Sequence, residues 1–128
     1  MAEALLKAKC PDRTIISAGI HAMTGFPADA FSIKVMAENG FDITGHRARQ
    51  LNNEMVKQAD LILTMDKRQS KFIENDCYPG HQKNIIRIGE FGNFDVPDPY
   101  MQSINAFKKT YQLLMQGVDD VIKHVLSA

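Results

Sequence analysis

Ile104, Phe107, Tyr111, Leu114, Val118, Val121 and Val125 recur at alternating steps of three and four residues. That spacing lays one apolar stripe along a helix and predicts a long C-terminal helix packed on the core. Gly117 interrupts the stripe. It costs roughly 1 kcal/mol against alanine in a helix interior, so packing must supply the reason for it. A short helix is predicted over Met1 to Cys10, where Ala2, Leu5, Leu6 and Lys9 share a face. No Ser, Thr, Asp or Asn precedes this helix as a cap, and it reads as a helix cut from something longer. A third helix is predicted from about Ala28 to Asn39, with Ile33, Met36 and Ala37 inward. Gly40 is its C′ residue and Phe41 the hydrophobic contact beyond. Asn52 is placed to cap a helix to about Gln58, and Asp66 with Gln69 resembles a capping box for one to about Asn75.

Between these segments the period changes. Thr14 to Ser17 reads as a short β-rich strand. The apolar run Leu61 to Met65 suits a strand buried on both faces, and Asn84 to Ile88 a third. Pro11-Asp12 and Tyr78-Pro79-Gly80 are turns, and residues 20–27 and 89–101 are loops. Strands alternating with helices predict an α/β domain: three layers, a short parallel sheet flanked by helices. In such sheets the site lies beyond the carboxyl ends of the strands. Ser17-Ala18-Gly19, the segment after Met65 and the loop carrying Asp98 all follow strands and can converge there.

The composition bounds this picture. A chain of 128 residues with 45% hydrophobic and 23% charged positions suits one domain, residues 1–128, with a real core. Fifteen basic residues balance fifteen acidic ones, and no basic stripe argues for nucleic acid. No apolar run reaches membrane-spanning length. Two cysteines, Cys10 and Cys77, make no disulfide framework, which points to a reducing cytoplasm. The histidines at 21, 46, 81 and 124 lack metal-ligand spacing, so neither a metal nor another cofactor is expected.

The candidate chemistry lies in Val96-Pro97-Asp98-Pro99-Tyr100. Each proline fixes its own φ and pushes the residue before it toward extended geometry. Asp98 is therefore aimed by a stiff backbone, which suits a general acid, although Asp-Pro also starts many ordinary turns.

Ser17-Ala18-Gly19, His46-x-Ala48-Arg49-Gln50, Asp60-Leu61-Ile62-Leu63-Thr64-Met65 and Asp98-Pro99-Tyr100 stand in the order and spacing of one family. Taken together they resemble the low-molecular-weight protein tyrosine phosphatases, across essentially the whole chain. Met1 to Leu6 resembles the helix that follows that family's phosphate loop. The chain looks most like bacterial members that dephosphorylate tyrosine kinases of polysaccharide export, so a phosphotyrosine protein is the implied partner. In that family a cysteine thiolate attacks phosphorus. Its loop, C-x5-R-S, holds the phosphate with backbone N–H groups and an arginine fork. The resemblance implies Asp98 as general acid, Tyr100 as a wall of the phosphotyrosine slot, and Ser17 with His46 as braces of the phosphate loop. Met101 stands where many relatives carry a second aromatic residue, which implies weaker ring stacking.

The sequence departs from the family at the nucleophile. No C-x5-R-S occurs in it: Arg13 follows Cys10 by three residues, and the residue six beyond Cys77 is Lys83. Lysine is a point charge and cannot fork onto two phosphate oxygens. The expectation is an N-terminally truncated member without a nucleophile, inactive or nearly so as it stands. The alternative is a catalytically dead binding or regulatory protein of a tyrosine kinase or phosphatase. An arsenate reductase relative ranks lower, because Cys77 alone is available for the extra redox cysteines. The family's first, central strand is also missing. Its gap is expected to close, either by Thr14–Ser17 moving against Leu61–Met65 or by a homodimer in which a second chain fills the space.

Overall fold

The computed structural model describes residues 1–77 and 84–126. The turn expected at Tyr78-Pro79-Gly80 lies outside them, as do His81, Lys83 and the side chain of Cys77. Among the described residues, five helices and two strands form in the order α1 (Ala2–Lys9), α2 (Ala30–Glu38), α3 (Asn53–Gln58), β1 (Leu61–Thr64), α4 (Lys67–Phe72), β2 (Asn84–Arg87) and α5 (Ile104–Val121). Single π-helical turns follow α4, at Ile73–Cys77, and α5, at Ile122–Leu126. β1 and β2 pair in parallel, with Leu61 opposite Asn84 and Thr64 opposite Arg87. α4 lies against both strands, and α5 packs on α1 and α2. The expected α/β architecture is present: a short parallel sheet with helices around it.

The local signals explain the helix ends. Asn52 and Asp66 accept hydrogen bonds from the backbone N–H groups of Met55 and Gln69, at 2.9 and 2.8 Å. The capping box is displaced by one residue: Gln69 Oε1 accepts from the N–H of Met65 rather than of Asp66. At the end of α2, Gly40 takes φ +87°, and the N–H groups of Gly40 and Phe41 reach back to the carbonyls of Ala37 and Met36. This is a Schellman closure, and it needs the left-handed conformation that glycine adopts without a Cβ penalty.

The core gathers Leu5, Leu6, Met36, Ile43, Ile88, Val96, Leu114 and Val118. On α2 the buried pair is Val35 and Met36, while Ala37, expected inward, is exposed. The α5 stripe holds as far as Val121, but Val125 lies beyond the helix proper and is 42% exposed. A Cβ on Gly117 would stand 2.3 Å from Ile88 Cγ2 and 2.7 Å from Ile88 O. The glycine lets α5 press directly on the exit of β2, which is the packing reason its sequence position demanded.

The strand expectations need correction. Thr14–Ser17 is not a strand: it has no ladder partner among the described residues. It has not moved against Leu61–Met65 either. Its end is tied elsewhere, since the N–H of Gly19 donates to the Arg49 carbonyl and the N–H of Leu51 to the Gly19 carbonyl. The Leu61–Met65 run is also not buried on both faces. Leu61 to Leu63 are half-buried and Thr64 alone in the strand is fully buried. β1 has a partner on one edge only among the described residues, so it lacks the cover a central strand receives.

Candidate active site

A cleft of about 650 Å³ is bordered by α1, the residue 42–46 turn, the end of β1 and the Asp98 loop. Ser17, His46, Asp98 and Tyr100, the four residues singled out in the sequence, all line it.

Each is placed by local structure. The Asp98 loop is fastened at three points. The N–H of Val96 donates to the Met65 carbonyl at the end of β1, 2.8 Å. The buried Thr110 hydroxyl of α5 donates to the Pro97 carbonyl, 3.3 Å, and the Gln102 side-chain amide to the Asp98 carbonyl, 3.3 Å. Asp98 Oδ1 accepts from the N–H of Tyr100 at 3.0 Å, an Asx turn that leaves the carboxylate at the cleft surface. Tyr100 is 57% exposed. Met101 has φ +62° and projects into solvent, 86% exposed.

On the opposite side stands Glu3, a residue outside the four sequence motifs. Its carboxylate accepts from the Ser17 hydroxyl at 2.8 Å and from Lys7 Nζ at 3.2 Å, and His46 Nδ1 stands 3.9 Å from Glu3 Oε2. Burial alone pushes the Glu3 carboxyl up. The Ser17 hydroxyl, then Lys7 and His46, outweigh it and hold the carboxyl below its ordinary value of 4.5. Ser17 and His46 thus share one acidic partner at the N-terminal end of α1. The only sequence signal was the i,i+4 spacing of Glu3 and Lys7.

A group whose folded pKa is depressed stabilises the fold above its unfolded pKa, and the stabilisation fades as pH falls through the folded value. Glu3→Gln is therefore expected to lower the thermal midpoint at neutral pH and to flatten its fall between about pH 5 and 3. Thermal unfolding of both proteins across that range checks it.

Arg47 and Arg49 are exposed, as a solvated pair should be; Arg47 spends its guanidinium on the carbonyls of Thr44 and His46. Cys10 is half-buried at the C-terminal end of α1 and does not line the cleft. His21 is exposed and His124 stacks on Phe91. No cluster of three metal-ligating side chains occurs among the described residues. Nor, among them, is any helix long and apolar enough to cross a membrane.

Residues 1–127 match the family described as low molecular weight phosphotyrosine protein phosphatase. The chain belongs to that family. It is 43% identical over 119 residues to a probable low molecular weight protein-tyrosine-phosphatase, EpsP, of Ralstonia nicotianae. That alignment spans 93% of this chain and 81% of the relative. It is 41% identical over 125 residues to the phosphatase Ptp of Acinetobacter johnsonii, spanning 98% of this chain and 87% of the relative. Among solved structures it resembles Vibrio vulnificus Wzb in complex with benzylphosphonate. The TM-score is 0.90 at 35% identity, covering 97% of this chain and 88% of the other. The tyrosine phosphatase Wzb of Escherichia coli K30 with sulphate gives the same TM-score at 31% identity, covering 95% and 85%. The phosphatase fold therefore extends over nearly all of this chain.

Proposed function

We propose that these residues form the acid-bearing side of a phosphotyrosine phosphatase site whose nucleophile loop is not among them. The observation that carries the reading is the arrival of Asp98, on its two-proline loop, in one cleft with Ser17, His46 and Tyr100. The benzylphosphonate bound to the Vibrio relative is an aryl-methyl phosphonate, close in shape to a phosphotyrosine side chain, and supports an aromatic slot of the same kind.

In the complete reaction a thiolate forms a bond to phosphorus, the P–O bond to the phenol breaks, and Asp98 gives its proton to the leaving oxygen. Water then attacks phosphorus and gives a proton to the Asp98 carboxylate as the P–S bond breaks, which releases phosphate and restores both the thiolate and the acid. A phenolate near pKa 10 is a poor leaving group at neutral pH, so the proton matters. Tyr100 would flank the substrate ring, and Ser17, hydrogen-bonded to Glu3, and His46 beside it would brace the loop that grips the phosphate.

By themselves the residues here lack that grip. The cleft lining carries Glu3, Asp29, Asp42, Asp66 and Asp98 against Lys7 and His46. A phosphate dianion entering such a lining is repelled unless an arginine and a ring of backbone N–H groups compensate. No cysteine lines the cleft among the described residues. The physiological partner we propose is a phosphotyrosine protein of the reducing cytoplasm, in the class of the bacterial tyrosine kinases of polysaccharide export.

The test joins a β-strand and a C-x5-R-S loop ahead of Met1 and measures 4-nitrophenyl phosphate hydrolysis beside the 128-residue chain. The longer protein is expected to turn over and the chain alone to stay at background. A covalent nucleophile with its cradle is worth many orders of magnitude. An inactive longer protein with a native-like fold overturns the proposal.

A further inference from the structure

Among the described residues a buried charge lies outside the cleft. Arg87, at the end of β2, has a side chain only 7% exposed. Its guanidinium donates to Asp95 Oδ1 at 2.8 Å, to Glu90 Oε2 at 3.2 Å and to Asn93 Oδ1 at 3.4 Å. Its own N–H points at Glu90 Oε1, 3.3 Å away. One guanidinium therefore gathers the whole turn that leaves the sheet and feeds the Asp98 loop. A lysine could not serve three separated acceptors in a plane.

The grip ends three residues before Asp98. Val96, the next residue, is 2% exposed and donates to the Met65 carbonyl. Pro97 then fixes its own φ, and Pro99 restricts Asp98. With so little freedom between residues 95 and 98, a shift at Asp95 passes to the carboxylate of Asp98 rather than being absorbed by the chain.

We propose that Arg87 is a positioning residue for Asp98, and that its hold on Asp95 sets where the proton donor stands in the cleft. This rests on Asp98 being the donor, so the test has one arm that needs no turnover.

In that arm the 128-residue chain is compared with Arg87→Met and Asp95→Asn by amide hydrogen exchange and two-dimensional NMR. Asp95 and Glu90 are about half exposed and regain water when the arginine goes, so the first variant is expected to fold. Asp95→Asn tests the same contact from the other side should it not. Both variants are expected to speed exchange at the Val96 N–H by about tenfold or more and to shift the Tyr100 amide, whose acceptor is Asp98. Leu5 in α1 and Val35 in α2 keep their rates. In the second arm the loop-completed protein is assayed on phenyl phosphate and 4-nitrophenyl phosphate. Arg87→Met is expected to cut kcat at least about tenfold more for phenyl phosphate, the ester whose leaving group needs the proton. A purely structural role would lower both esters alike.

Unchanged exchange at Val96, exchange raised equally at Leu5 and Val35, or equal losses on both esters overturns the proposal. A loop-completed protein that is inactive with Arg87 in place overturns the phosphatase reading instead, and the exchange result then decides the role of Arg87 in holding the loop.

Discussion

Asp98→Asn, made in the protein completed by a C-x5-R-S loop, is expected to lower kcat on phenyl phosphate about 10²–10⁴-fold, the usual contribution of a placed general acid. Asparagine keeps the shape and can still accept from the Tyr100 N–H, so the Asx turn that aims residue 98 survives. It has no proton to give. The loss should shrink on 4-nitrophenyl phosphate, whose phenolate leaves more readily. Steady-state rates on the two esters check this, with KM nearly unchanged because the side chain acts as the bond breaks. Equal, small losses on both esters would place the proton donor elsewhere.

The second large effect concerns the scaffold. Gly117→Ala improves helix propensity by about 1 kcal/mol, and on that count alone it should stabilise α5. The packing reverses the sign. The new methyl would sit 2.3 Å from Ile88 Cγ2 and 2.7 Å from its carbonyl oxygen, and Ile88 is 1% exposed with its N–H bonded to Thr64 O. Neither the side chain nor the backbone there has room to retreat, and overpacking of this kind costs about 1–3 kcal/mol or more. The net expectation is a loss of about 2 kcal/mol and a thermal midpoint lower by roughly 6–10 °C. Gln116→Ala, one residue away on the exposed face, is the control and should move it little. Because α5 also carries Thr110, which fastens Pro97, pushing this helix off β2 should loosen the Asp98 loop as well.

These cases show what the sequence could reveal. Helices were readable because their signals are local: Asn52 and Asp66 cap in place, Gly40 closes α2, and the α5 stripe meets the core. The phase of α2 was harder, since Val35 rather than Ala37 is buried, and that depends on which helix it packs against. Thr14–Ser17 has strand-like residues but no ladder partner among the described residues, and a strand exists only through pairing. Ser17, His46, Asp98 and Tyr100 stood out in the sequence through resemblance, and the fold brings them to one cleft. Glu3 did not, because its partners Ser17 and His46 come from distant stretches of chain. Arg87 hid for a related reason: a charged residue in a strand reads as a surface position until Asp95 folds back over it.

The most direct measurement is phosphate release from a phosphotyrosine peptide by the 128-residue chain itself, with its Asp98→Ala variant alongside. Asp98 with no thiol beside it is expected to leave both proteins at the buffer background. Steady turnover by the chain that Asp98→Ala abolishes would contradict the account, because some other nucleophile would then be working beside Asp98.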